Sequence, residues 1–221
     1  MDLRITPRPL QSQVVSKLRD AILSGHFKPG ERLVESSLCQ MINVSRSSLR
    51  EALRRLEGEK LVHNIPNRGP SVAELTWKQA EDIYHVRALL EGEAVVLFTK
   101  RATPKEVAKM RAALKDFVKA HESDDAPEKI RATTDFYAVI LNGCGNEVIC
   151  EVLEGLHARI NLLRSQSMSR KGRSRFSAKE LSEILKMIER KDSAGARKAA
   201  IEHVRAASES AKKAFESKLA S

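Results

Sequence analysis

Aromatic residues are scarce in this chain: six phenylalanines, two tyrosines and one tryptophan make up 4% of its 221 residues. Single-stranded nucleic acids are held largely by stacking bases on aromatic rings, so this composition argues against such a partner. Cysteine is scarcer still. Cys39, Cys144 and Cys150 are odd in number and show no CxxC spacing, which speaks against a disulfide framework and a cysteine metal centre. All three are expected to be reduced, buried small hydrophobes. No apolar run approaches the roughly 18 residues of a membrane span. The opening Met1-Asp2-Leu3-Arg4, with Pro7 and Pro9 behind it, lacks the apolar stretch of an export signal; a cytoplasmic location and no membrane partner are the expectations. A glycine-rich phosphate loop, an HExxH pair and a nucleophile elbow are also missing, so the chain is not expected to be an enzyme.

What is present is a 42% hydrophobic complement, enough for one large core or two smaller ones, and a formal charge of +10. That excess fits a polyanionic partner. It does not locate one, because residues 1–75 hold 12 basic and 8 acidic side chains and the remaining surplus lies beyond them.

Apolar residues Val14, Val15, Leu18, Ala21 and Ile22 recur at helical spacing and stop at Gly25 and Pro29-Gly30. A short second helix is expected from Glu35 to Met41. After the break at Ile42-Asn43-Val44, Ser45 is placed to cap a third from Arg46 to about Glu57. Leu61 to Ile65 and Ser71 to Ala73, flanking Pro66-Asn67-Arg68-Gly69-Pro70, read as a β-hairpin with a basic tip. Beyond Leu75 the pattern is helical almost to the end. Thr76 caps a helix whose buried stripe is read as Ile83, Val86, Leu90, Ala94 and Leu97. A capping box at Thr103 and Glu106 starts the next, and further helices are expected at 127–141, 147–168, 178–190 and 193–218, started by Asn146, a Ser177 and Glu180 capping box, and Asp192. The expected fold is mostly α: a winged helix-turn-helix in residues 1–75, its wing a small hairpin, then an all-helical bundle in residues 76–221.

In the third helix Leu49, Ala52, Leu53 and Leu56 share one face, and Arg46, Ser47, Arg50 and Arg54 lie largely off it. Arg46 and Arg50 stand one turn apart, as two guanidinium forks must to enter a major groove together. Ser47 and Ser48 suit phosphate or base contacts. Arg68 beside Gly69 can approach a duplex closely, because glycine has no side chain to block it. Any one basic helix is most simply a solvated face; a helix, a short turn, a capped basic helix and a basic-tipped hairpin in one stretch favour double-stranded DNA.

Pro29-Gly30-Glu31-Arg32-Leu33, then Val44 through Leu56, then Asn67-Arg68-Gly69 resemble the GntR family of transcription regulators. Many relatives have proline where this chain has Ser48. The resemblance implies that Arg46, Ser47, Arg50 and Arg68 face an operator. Val86 to Glu91, with Phe136-Tyr137 and Gly145-Asn146, resemble the FadR-type subgroup, whose helical effector domain is called FCD, here in a shorter, VanR-like form. It implies a homodimer, acting most often as a repressor, that responds to a small and often acidic metabolite.

Many FCD domains hold a divalent metal with one aspartate and three histidines, and this chain departs from that pattern. Registered on Gly145-Asn146, Thr133 and Tyr137 stand at the first two ligand positions, Leu181 falls at the next, and only His203 matches. Asp135 is two residues off register and points elsewhere on its helix. No metal and no other cofactor is expected. The candidate effector residues are Arg87, Tyr137, His203, Thr133 and Arg159, with Arg164 beside them. Arg87 reads equally as an i,i+4 partner of Glu91, and Tyr137 and His203 equally as core residues. The stretch carrying Arg170, Lys171, Arg173 and Arg175 reads as a solvated basic loop. Two other readings stand beside these: a helical domain that only dimerises, and a helical-bundle enzyme using Tyr137, His203 and Arg87.

Overall fold

The computed structural model describes residues 10–219 apart from 169 and 171. Lys171 of the basic stretch and the opening segment through Pro9 therefore lie outside the described residues. The chain divides into two compact units, Met1–Glu74 and Leu75–Ser221.

In the first unit α1 (Leu10–Leu23) buries Val14, Val15, Leu18 and Ile22 along one stripe. It packs on α3 (Arg46–Gly58), which returns Leu49, Ala52, Leu53 and Leu56. Each leucine so buried is worth roughly 1.5–3 kcal/mol. Between them the short α2 (Glu35–Ile42) ends at Asn43, whose φ of 52° lies in the left-handed region that asparagine tolerates well. Ser45 then opens α3 as its spacing predicted, its Oγ accepting the Ser48 N–H at 3.2 Å.

The wing differs from expectation at its second strand. β1 (Val62–Ile65) pairs antiparallel with β2 (Gly69–Val72) from Val62↔Val72 to Ile65↔Gly69, so β2 begins inside the predicted turn and includes Pro70. Proline is tolerated because the Pro70 carbonyl turns away from β1 and accepts the Leu33 N–H at 2.8 Å, so the β1–β2 ladder loses no bond to it. Gly69 makes the turn short, with a φ of 84°.

The second unit holds α4 (Trp77–Arg101), α5 (Pro104–Glu122), α6 (Ala126–Cys144), α7 (Glu147–Met168), α8 (Arg173–Glu189) and α9 (Ser193–Leu219). Full capping boxes close α4 at Thr76 and Gln79, and α5 at Thr103 and Glu106. Asn146 and Asp192 each accept a backbone N–H three residues on, as starts of α7 and α9 should. α4 lies centrally, packed against α6, α7, α8 and α9.

Two expectations fail here, for one physical reason. The buried stripe of α4 runs through Ala80, Ile83, Tyr84, Arg87, Glu91, Ala94, Val95 and Phe98. Val86 and Leu90 are only half-buried. The stripe is turned by about one residue because an ion pair, Arg87 with Glu91, occupies positions that an apolar reading would deny it. Likewise α8 starts at Arg173, not after a Ser177 cap. Gly172, at φ 83°, leads straight into it, Ser177 is buried within it, and Glu180 binds the Arg173 guanidinium two turns back instead of a backbone N–H at Ser177. The basic stretch is thus not all solvated: Arg170 and Arg175 are exposed, but Arg173 is buried. No helix among the described residues is long and apolar enough to cross a membrane.

Candidate DNA interface and ligand cavity

On the first unit, Arg46 and Ser47 are exposed at the start of α3, and Ser48 is half-buried. The serine hydroxyls form a small cluster in which Ser45 Oγ stands 2.9 Å from Ser47 Oγ and 3.0 Å from Ser48 Oγ. Arg46, Arg68 and Gly69 line one open hollow of about 340 Å³ together with Glu35 and Arg32. Arg32 is not among the predicted contact residues; in the sequence it carries only part of the family resemblance. Its bridge to Ser71 ties that segment to the wing and places its exposed side chain at the same hollow. Arg50 lines the neighbouring hollow with Arg54 and Asn64. Its Nε donates to both carboxylate oxygens of Glu35, at 3.1 and 3.0 Å. The structure thus groups Arg46, Arg68 and Gly69, with Arg50 on the adjoining surface. Such an exposed, cation-bearing helix end beside a basic hairpin suits phosphate positioning and groove readout.

Inside the second unit the sequence candidates separate. Arg87 is fully buried, its Nε 2.8 Å from Glu91 Oε1 and its Nη2 3.5 Å from Oε2. Burial opposes its charge, and the Glu91 carboxylate more than restores it, so the guanidinium pKa ends above its usual value. Burial likewise pushes Glu91 up, but Arg87 and then Arg164 outweigh it and hold the carboxyl below its ordinary range. Arg164, buried on α7, sits 5.3 Å from the centroid of the Tyr137 ring. Burial, then the like charge of Arg87, lowers its pKa to about 10, which leaves it charged at neutral pH. Its Nη1 donates to Asn161 Oδ1 at 2.9 Å and to Thr134 Oγ1 at 3.3 Å.

Four donors of this cluster, Arg87 Nη1, Arg164 Nε, Arg173 Nε and the Tyr137 hydroxyl, are buried with no hydrogen-bond partner among the described residues. Burial foremost, and then the nearby Glu91 charge, pushes the Tyr137 phenol up and keeps it protonated; Glu91 nonetheless makes no hydrogen bond to it of good geometry. A cavity of about 290 Å³ opens beside them, lined among others by Glu91, Tyr137, Asn142, Glu154, His157 and Arg164.

Of the predicted residues Tyr137 and Arg164 line this cavity, while Arg87 and His203 support its wall from behind. His203 stacks on Tyr137 at 6.2 Å between centroids, and its Nδ1 lies 2.6 Å from Glu180 Oε2. Thr133 is buried with its hydroxyl donating to Lys129 O at 2.8 Å, away from the cavity lining. Arg159 is half-buried and not part of the lining. Arg164 outranks both. Its signal in the sequence, an arginine on the inward face of α7, is legible only once Asn161 and Leu163 are known to be buried too.

The residues at the metal-ligand positions do not fit a divalent cation. Thr133 is bonded to its own helix, Tyr137 is a neutral phenol, Leu181 is a fully buried apolar side chain, and Glu180 holds one nitrogen of His203. Two buried guanidinium groups next to the site would repel a cation as well. Among the described residues no cluster of three or more histidine, cysteine, aspartate or glutamate side chains is placed to hold a metal.

Comparison with known proteins agrees with this division. Residues 10–72 match the bacterial regulatory proteins of the gntR family, and residues 82–206 match the FCD domain. The chain belongs to the GntR family of DNA-binding transcription regulators, in the FadR subfamily that carries an FCD domain; these are regulators, not enzymes. It is 30% identical to YdhC of Bacillus subtilis, an uncharacterized HTH-type transcriptional regulator, over 89% of this chain and 88% of the relative. It is 32% identical to the HTH-type transcriptional repressor GlaR of Escherichia coli over 63% of this chain and 65% of that one. Its structure superposes on McbR/YncC of E. coli with a TM-score of 0.78 at 25% identity, covering 90% of this chain and 95% of the other.

Proposed function

We propose that this regulator is a cytoplasmic homodimeric repressor whose grip on a short palindromic operator changes when a small acidic metabolite enters the cavity beside Tyr137. In such a dimer two copies of α3 stand about 34 Å apart, one turn of the duplex. Arg46, Ser47, Ser48 and Arg50 supply the groove contacts, and Arg68 and Gly69 the wing contact. The repressor sense is supported by a relative such as GlaR, which is named a repressor.

The observation that carries the ligand reading is an imbalance in the buried cluster. Arg87 and Arg164 face a single carboxylate, Glu91, and the unpartnered groups there are all donors. A buried donor without an acceptor costs roughly 1–3 kcal/mol, and an incoming carboxylate would supply acceptors and neutralise the surplus charge at once. Arg164 and Tyr137 are the groups placed to meet it, with Arg87 holding Glu91 out of competition.

The test is a thermal-shift screen of the purified protein against small carboxylates and phosphates with a chelator present, followed by operator binding with each hit. The expected result is an acid that raises the melting temperature and changes operator affinity. Stabilisation only by neutral or cationic compounds would overturn the reading. No response to any acid would reduce the helical unit to a dimerisation module.

A further inference from the structure

Of the arginines on the candidate DNA face, Arg46 and Arg68 make no side-chain hydrogen bond or ion pair among the described residues, and Arg54 bonds Glu51 one turn away on its own helix. Arg50 differs. Both oxygens of Glu35 face its Nε, at 3.1 and 3.0 Å, and Glu35 lies 15 residues back, on the first turn of another helix. The bond therefore ties α2 to α3 at the surface offered to DNA. Both partners stay open to solvent, with side-chain exposures of 60% for Arg50 and 29% for Glu35, so it is a weak device for stabilising the fold.

A carboxylate on this face opposes the phosphate backbone and weakens every non-specific contact. It does one thing in return. A guanidinium has five N–H donors, and with Nε–H engaged the four on Nη1 and Nη2 remain, directed along the side-chain axis. That is the geometry of an end-on bidentate contact to O6 and N7 of guanine, while side-on contacts through Nε and swings toward phosphate are closed off.

We propose that Glu35 is a positioning residue that sets operator specificity: it holds Arg50 by Nε so that the terminal amino groups read one guanine in each half-site. The carboxylate trades general affinity for discrimination. This rests on the reading that α3 enters the major groove, and the test separates the two.

Full-length protein is selected against a library of random duplexes, and the enriched sequences are compared for the parent, Glu35→Met, which has neither the charge nor an acceptor for Arg50 Nε–H, and Glu35→Asp. The parent should enrich a palindrome with a strongly preferred guanine in each half. In Glu35→Met the preference for that guanine should fall about tenfold, within what a bidentate pair supplies. Other positions should keep theirs, and affinity for random duplex should rise because a negative charge has left the interface. Glu35→Asp, too short to reach but still charged, should lose the same preference without the rise. Melting temperatures of all three should agree. A residue that only supported the fold would instead lower binding to every sequence together, and that result overturns the proposal, as does unchanged preference at every position in both variants. A parent that enriches no sequence overturns the groove reading along with it.

Discussion

Arg164 and Glu91 show how differently two members of one buried cluster respond to removal. Arg164 is one of two cations sharing a single carboxylate, so replacing it with an apolar side chain of similar length removes a surplus charge. Arg164→Met is expected to change stability by no more than about 1 kcal/mol while abolishing stabilisation by acidic ligands, both read by thermal denaturation. Glu91→Gln leaves Arg87 and Arg164 buried and uncompensated, and should cost roughly 3–5 kcal/mol. The two variants also differ in acid. The folded-state pKa of Glu91 lies below its ordinary 4.5, so its contribution is complete above that value and is lost as the pH falls from it toward the folded pKa. Melting curves against pH should show Glu91→Gln, which has already lost that contribution, declining less steeply below pH 4.5 than the parent.

Among the helices, close approach and polar clasps carry the arrangement that the cavity depends on. α6 meets α4 at Gly143, where an added Cβ would lie 2.7 Å from two ring carbons of Phe98, itself fully buried. Gly143→Ala is expected to destabilise the helical unit by about 1–3 kcal/mol, measured by chemical denaturation, because the fully buried Phe98 ring or the helix must shift to admit the methyl group. α8 and α9 are joined through Glu180, which takes Arg173 Nη1 and Nη2 at 2.9 and 2.8 Å and His203 Nδ1 at 2.6 Å. Burial lowers the His203 pKa, offset in part by Glu180. Glu180→Gln removes the charge and one of the two acceptor oxygens, leaving Arg173 and His203 to share the other, and should cost about 2 kcal/mol. It should also loosen the wall behind Tyr137 and weaken ligand stabilisation without touching any group that lines the cavity.

At the scale of the molecule, division into a DNA-binding unit and a helical unit means that stability is held in two cores. Ligand binding reports on one of them. An acid present at a hundred times its Kd should add about 2.7 kcal/mol to the unfolding free energy of residues 75–221, and the gain should be absent from an isolated DNA-binding unit titrated alongside. Equal shifts in both would place the ligand elsewhere.

Local chemistry was enough to read most elements of both units. Ser45, Thr76, Thr103, Asn146 and Asp192 mark helix starts by hydrogen bonds that span only three residues, and the leucines of α3 face inward because their spacing follows the helical repeat. The exposed basic face of α3 was legible for the same reason, since Arg46 and Arg50 are neighbours on one helix.

What only tertiary structure decided is where charge is buried. Arg87 and Glu91 on α4, Arg164 on α7 and Arg173 on α8 are buried, with Glu180 of α8 half-buried beside Arg173, although a charged side chain is by default a solvated one. Their burial turned the α4 stripe, moved the start of α8 and replaced Thr133 and Arg159 by Arg164 at the cavity. The Arg87–Glu91 pair is legible at its i,i+4 spacing, but its burial beside Arg164 of α7 depends on packing between distant segments, which has no local signature for periodicity to reveal.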